Sequence, residues 1–141
     1  MNVTALSKED VWMFYQFLVI YEKKIKRVKA DKEFQNTFPS TLNVYNKVLK
    51  NKVNKKTKKE LMSIPIPNDL LYITVSKTLL LDYFRHLRNS LAHVLLNKLN
   101  PYYEILDYYK GFSAKGRLKC SDVKAVISML IQEYIEKYSN D

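Results

Sequence analysis

The segment Leu79–His93 limits the choice of fold more than any other stretch of this chain. It reads LLLDYFRHLRNSLAH, without glycine or proline, and so predicts one uninterrupted helix. On a helical wheel Leu80, Phe84, Leu87 and Leu91 gather on one face, the expected core side. Asp82, Arg85, His86, Asn89 and His93 gather roughly opposite, with Ser90 nearby. Arg88 sits at the border, where its stem can lie along apolar surface and carry its charge into a cleft. Both histidines of the protein fall on this stripe. A solvated face is the ordinary explanation of a helical charge stripe. Arg, His and an amide together also suit a phosphate ester: guanidinium grips phosphate in a planar fork, and imidazole moves protons near neutrality.

With 141 residues the chain is expected to form a single domain, 1–141, with a core that needs no staples. The charge balance favours polyanions. Twenty-four Lys and Arg against 14 Asp and Glu leave +10, which points to nucleic acid first and to an anionic surface or acidic partner second. Two glycines argue against a sheet-rich fold and against the Gly-rich phosphate loops of kinases, P-loop proteins and dinucleotide enzymes. One cysteine, Cys120, allows neither an internal disulfide nor a Cys-based metal cluster and fits a reducing, cytoplasmic setting. The N-terminus lacks the basic start and cleavage site of a signal peptide. Asp82 is the lone acid of the central stripe and makes no two-metal site. Neither metal nor cofactor is expected.

Ser7 caps a first helix that runs through Val11–Tyr21 and is apolar nearly all round. It is too short to span a bilayer, so no stable membrane insertion is expected. A core face plus a dimer face explains it; the competing account is an interfacial anchor aided by Lys23, Lys24, Lys26, Arg27 and Lys29. Residues 31–40 read as a polar break. A second helix is expected from Thr41, leading into a lysine run that includes Lys55, Lys56, Lys58 and Lys59. That run is either an RNA-backbone patch or a solvated helix end. Ile64–Pro67 is an extended spacer, and Asn68 is expected to cap a long central helix reaching His93. Tyr102–Tyr109 and Arg117–Cys120 read as a short hairpin. Tyr102, Tyr103, Tyr108 and Tyr109 in it can stack on bases or simply pack. Ser121 is expected to cap the last helix, whose Val123, Val126, Ile127, Leu130, Ile131, Tyr134, Ile135 and Tyr138 give the cleanest helical period in the chain.

Arg88-Asn89-Ser90-Leu91-Ala92-His93 resembles the R-x4-6-H motif of the HEPN superfamily, many of whose members are small all-helical ribonucleases of toxin and phage-defence systems. The likeness covers roughly residues 70–138; the first 65 match only in being helical. It implies an all-α bundle of about four to five helices, with a short β-hairpin between the motif helix and the last helix. It also implies a homodimer in which two motif helices face each other across a basic cleft. One departure is Leu95, which stands where toxins of the family paired with nucleotidyltransferase antitoxins carry Tyr.

Metal-free RNA cleavage needs a base for the 2′-hydroxyl, a cation for the developing phosphorane charge and an acid for the leaving 5′-oxygen. His93 suits the proton transfers and Arg88 the charge. Asn89, one turn before His93, can orient the imidazole or bond phosphate. His86, Arg85 and Ser90 are accessory candidates, with pairing to Asp82 as the other reading of His86. The expected function is a metal-independent endoribonuclease of a toxin or defence system. RNA is its partner, and an antitoxin or regulatory protein a further one. The alternatives are a non-catalytic RNA- or nucleotide-binding module and a helical scaffold.

Overall fold

The computed structural model describes residues 2–139. Helix α1 (Lys8–Ile20) starts at a capping box, Ser7 with Asp10, and widens into a π turn, Tyr21–Ile25. Helices α2 (Asp31–Thr37) and α3 (Pro39–Val48) follow, so the expected polar break at 31–40 is mostly helical. Phe34 and Phe38 on it are fully buried. A 3-10 turn (Lys50–Lys52), strand β1 (Val53–Lys55), helix α4 (Lys58–Ser63) and strand β2 (Leu70–Ile73) come next. Then come α5 (Leu79–Ala92), β3 (Asn97–Leu99), β4 (Tyr102–Tyr108), β5 (Phe112–Lys119) and α6 (Cys120–Tyr138).

The strands form one five-stranded mixed sheet in the order β1-β2-β5-β4-β3, with β1 and β2 parallel and the other pairs antiparallel. The architecture is therefore mixed α/β, which corrects the all-α bundle. The expected hairpin exists as β4–β5, but it forms the middle of a sheet rather than an appendage. Glycine scarcity misled because this sheet uses only two. Gly111, with φ 124°, follows Lys110, with φ 52°, in the β4–β5 turn. Gly116 lies inside β5, where a Cβ would stand 2.2 Å from the Leu70 carbonyl oxygen of β2.

The central helix starts ten residues later than Asn68 predicts. Tyr72-Ile73 are in β2, as β-branched and aromatic residues prefer, and the prolines before them hold the chain extended. Thr78 is the true cap; its Oγ1 accepts from the Leu81 N–H at 3.1 Å. Asp82 completes the start. Its Oδ2 accepts the Ser76 and Lys77 N–H groups at 2.6 and 2.8 Å. For α6 the expected Ser121 cap is also corrected, since the helix begins at Cys120 with Lys119 in the cap position.

Helix α5 lies on the sheet face that carries Leu71, Ile73, Ala114, Leu118, Tyr103 and Ile105, all fully buried. Phe17, Phe34, Tyr45, Tyr83 and Phe84 close the core on its other side, with Phe84 5.4 Å from Phe34 and 6.1 Å from Phe17. Both halves of α5 are thus covered: Asp82, His86 and Ser90 are as buried as Leu80, Phe84 and Leu87. α6 packs on α1 and α3, and its Glu133 accepts from the Thr41 N–H and, at 2.6 Å, from the Thr41 hydroxyl at the start of α3. Among the described residues no helix is long and apolar enough to cross a membrane.

Candidate functional site

Much of the polar half of α5 is turned away from water, with Asp82, His86 and Ser90 buried. It runs along the seam between the sheet and the π turn, joined into one line of hydrogen bonds and ion pairs. Arg85 Nε donates to Asp82 Oδ1 at 2.9 Å, and Arg85 Nη2 stands 3.2 Å from His86 Nε2. His86 Nδ1 donates to Asp107 Oδ2 at 2.8 Å, and Asn89 Nδ2 donates to the same oxygen at 3.0 Å. Asn89 Oδ1 accepts from Arg88 Nη1 at 3.1 Å, and Arg88 Nε lies 3.3 Å from Glu22 Oε1. The chain so runs from Asp82 at one end of the helix to Glu22 on the π turn.

Asp107 is the hub of this chain. It belongs to β4, where Tyr103, Ile105 and Asp107 alternate onto the face under α5. Its side chain is 10% exposed. Burial pushes its carboxyl up, but the bonds from His86 and Asn89 outweigh that and hold it below the usual carboxylate range. Asp82 behaves alike: burial raises it, and the Lys77 and Ser76 amides with Arg85 bring it down further. Tyr21 packs beside the chain; burial pushes its phenol up, against the Arg85 and Arg88 charges.

The expected site residues divide by accessibility. Arg88 and Asn89 are half-buried and joined to each other. His93 is the C-cap of α5, exposed, and no hydrogen bond of its imidazole occurs among the described residues. Val94 after it adopts φ 57°, a left-handed backbone rare for a β-branched residue. His86 is fully buried, with Nδ1 on Asp107 and Nε2 2.8 Å from the Thr74 carbonyl oxygen. It is thus not free to be a second proton carrier; it also bonds Asp107 rather than Asp82. Arg85 is held by Asp82, with a third of its side chain exposed. Ser90 is fully buried, and its hydroxyl has no hydrogen-bond partner among the described residues.

The more distant candidates separate from this seam. Tyr103 is fully buried and its hydroxyl donates to Asp10, so it cannot stack on a base. Tyr102 is half-buried at the far end of β4, pairing with Lys119. Tyr108 and Tyr109, directly after Asp107, are the exposed tyrosines of the hairpin, at 54% and 74%. Lys55 is exposed on the edge strand. It pairs with Ile73, which pairs with Ala114, which pairs with Asp107, so it stands three strands away, about 14 Å. Lys58 and Lys59 are exposed at the start of α4, while Lys56 lies beside Glu60 and over the Tyr72 ring.

Among the described residues no three His, Cys, Asp or Glu side chains come together as a metal-ligand set. Compared with protein-family models, curated proteins and solved structures, the chain matches none. Nothing in these comparisons bears on the likeness to HEPN proteins, and the five-stranded sheet departs from the all-helical pattern that the likeness implies.

Sequence reasoning missed Asp107 and Glu22. The alternation Tyr103, Ile105, Asp107 was a readable signal for the first. Nothing in the sequence marks the π turn that delivers the second.

Proposed function

We propose that this chain is a metal-independent ribonuclease whose site is the C-terminal half of α5, with Arg88, Asn89 and His93 at its centre. One observation carries the reading. Arg88 and Asn89 are fixed in a hydrogen-bonded chain anchored on the buried Asp107, and the same helix ends on His93, an exposed imidazole that bonds nothing among the described residues. A held guanidinium and an uncommitted proton carrier are the two groups that phosphodiester cleavage by a 2′-hydroxyl demands.

In the reaction His93 takes the 2′-hydroxyl proton, the 2′-oxygen attacks phosphorus, and the 5′-oxygen leaves with a proton. Arg88 faces the equatorial oxygens as their charge grows, and Asn89 donates nothing of its own proton inventory but keeps Arg88 in register. Tyr108 and Tyr109 supply exposed rings on which a splayed base stacks. A net charge of +10 draws the polyanion.

One protomer offers one accessible imidazole, because His86 is spent. The reading therefore includes a homodimer, in which a second His93 supplies the acid. Val11, Trp12 and Tyr15, all more than half exposed on α1, give apolar surface for pairing. The setting is the cytoplasm, and the role a toxin or phage-defence activity of the HEPN type, restrained by an antitoxin or regulatory protein. If the chain stays monomeric, the single imidazole favours the second reading, an RNA-binding module that does not cut.

The experiment is product analysis in EDTA. Cleavage leaves 2′,3′-cyclic phosphate and 5′-hydroxyl ends, and a 2′-deoxy residue at the scissile position blocks it. Cleavage of the deoxy substrate at the same rate refutes the mechanism. Salt-sensitive binding without cleavage selects the second reading.

A further inference from the structure

Beyond Ile20 the first helix does not continue as an α-helix. In the π turn the Lys26 N–H donates to the Tyr21 carbonyl, five residues back, at 2.9 Å. Single π turns are uncommon and recur at functional sites. This one keeps both Tyr21 and Ile25 buried and sets the intervening Glu22 carboxylate against Arg88. Oε1 of Glu22 lies 3.3 Å from Arg88 Nε, and Oε2 lies 3.3 Å from Lys26 Nζ.

A guanidinium grips phosphate through two adjacent N–H groups. Arg88 has Nη1 on Asn89 and Nε on Glu22, so each edge of its fork has one nitrogen engaged. The pair is open to water, with side-chain exposures of 33% for Arg88 and 43% for Glu22. Exposed pairs of this kind are weak, so a more highly charged ligand can displace the carboxylate.

We infer that Glu22 is an internal stand-in for a substrate phosphate, occupying Arg88 in the free protein and yielding it, together with Lys26, to adjacent phosphates of a bound strand. The inference rests on Arg88 being the phosphate ligand of the proposed ribonuclease. It makes Glu22 a specificity-determining residue. An isolated anion gains Arg88 only by expelling a carboxylate, whereas an oligonucleotide gains Arg88 and Lys26 at once. The preferred substrate is therefore a strand rather than a mononucleotide.

The test is fluorescence anisotropy with a labelled single-stranded 2′-O-methyl RNA, which binds but cannot be cut. Glu22→Gln is compared with wild type and with Glu136→Gln, an equal charge change at an exposed position on α6. Glu22→Gln is expected to bind about three- to fivefold tighter than Glu136→Gln, and the gain to vanish in an Arg88→Ala background. Equal binding by Glu22→Gln and Glu136→Gln, or a gain that survives Arg88→Ala, overturns the role of Glu22 and leaves the RNA reading standing. RNA binding by none of the proteins overturns both.

Discussion

Replacing Asp107 with Asn keeps the shape of the side chain and removes its charge. In the native seam Asp107 Oδ2 accepts from His86 Nδ1 at 2.8 Å and from Asn89 Nδ2 at 3.0 Å. The amide oxygen of an asparagine set in the place of Oδ2 can still accept both bonds, but without the carboxylate charge each is weaker. His86 is fully buried and cannot turn to water. Each hydrogen bond to a charged group contributes about 1.5–3 kcal/mol, against about 0.5–1.5 kcal/mol for a neutral one. The expected loss, from two such bonds weakened, is about 2 kcal/mol. Urea unfolding followed by circular dichroism measures it as a lower midpoint with unchanged slope. The pH dependence has a definite sign. Asp107 is held below its ordinary value, so the folded protein binds fewer protons there than the unfolded chain. Its contribution is present above about pH 4 and lost as pH falls through the folded-state pKa. The gap between wild type and Asp107→Asn thus narrows in acid. A loss below about 1 kcal/mol at neutral pH, or a gap that widens in acid, refutes the view of Asp107 as the anchor of the seam.

Three further substitutions probe the surroundings by the same urea assay. Val94→Gly relieves the left-handed backbone after His93 and is expected to raise stability by about 1 kcal/mol; a loss means that the valine makes contacts that outweigh its strain. Gly116→Ala places a Cβ 2.2 Å from Leu70 O and 2.6 Å from Leu71 Cα, so β2 and β5 must part, at about 2 kcal/mol; an unchanged midpoint contradicts the close pairing. Ser90→Ala removes a buried hydroxyl without a partner and is expected to be neutral or stabilising by about 1 kcal/mol with RNA cleavage intact. Loss of cleavage in a stable Ser90→Ala protein restores Ser90 to the site.

The sequence made α1 and α6 legible because the start of the one and the period of the other are local signals: Ser7 with Asp10, and the run from Val123 to Leu130. It also made the β4–β5 hairpin legible. The sheet around that hairpin was not, because β1 and β2 are three and four residues long and take their partners from distant chain. The span before Leu79 was misjudged because a continuous apolar run fits helix or strand equally well, and Thr78 is an unobtrusive cap inside it. Position on the helix offers Asn89 the His93 imidazole or a phosphate; in the structure its side chain bonds Arg88 and Asp107 instead. The burial of His86 was not legible either, since it depends on β4 passing beneath that helix with Asp107 on the inner face. Likewise Tyr103 looked available for stacking until its strand register turned it into the core, onto Asp10.

The most direct test of the central claim is single-turnover cleavage of a structureless RNA, in EDTA, by wild type, Arg88→Ala and His93→Ala, with circular dichroism confirming that each variant is folded. Cleavage by the wild type that falls about a hundredfold or more in each variant is the predicted result. Wild-type cleavage that persists unchanged in both variants contradicts it.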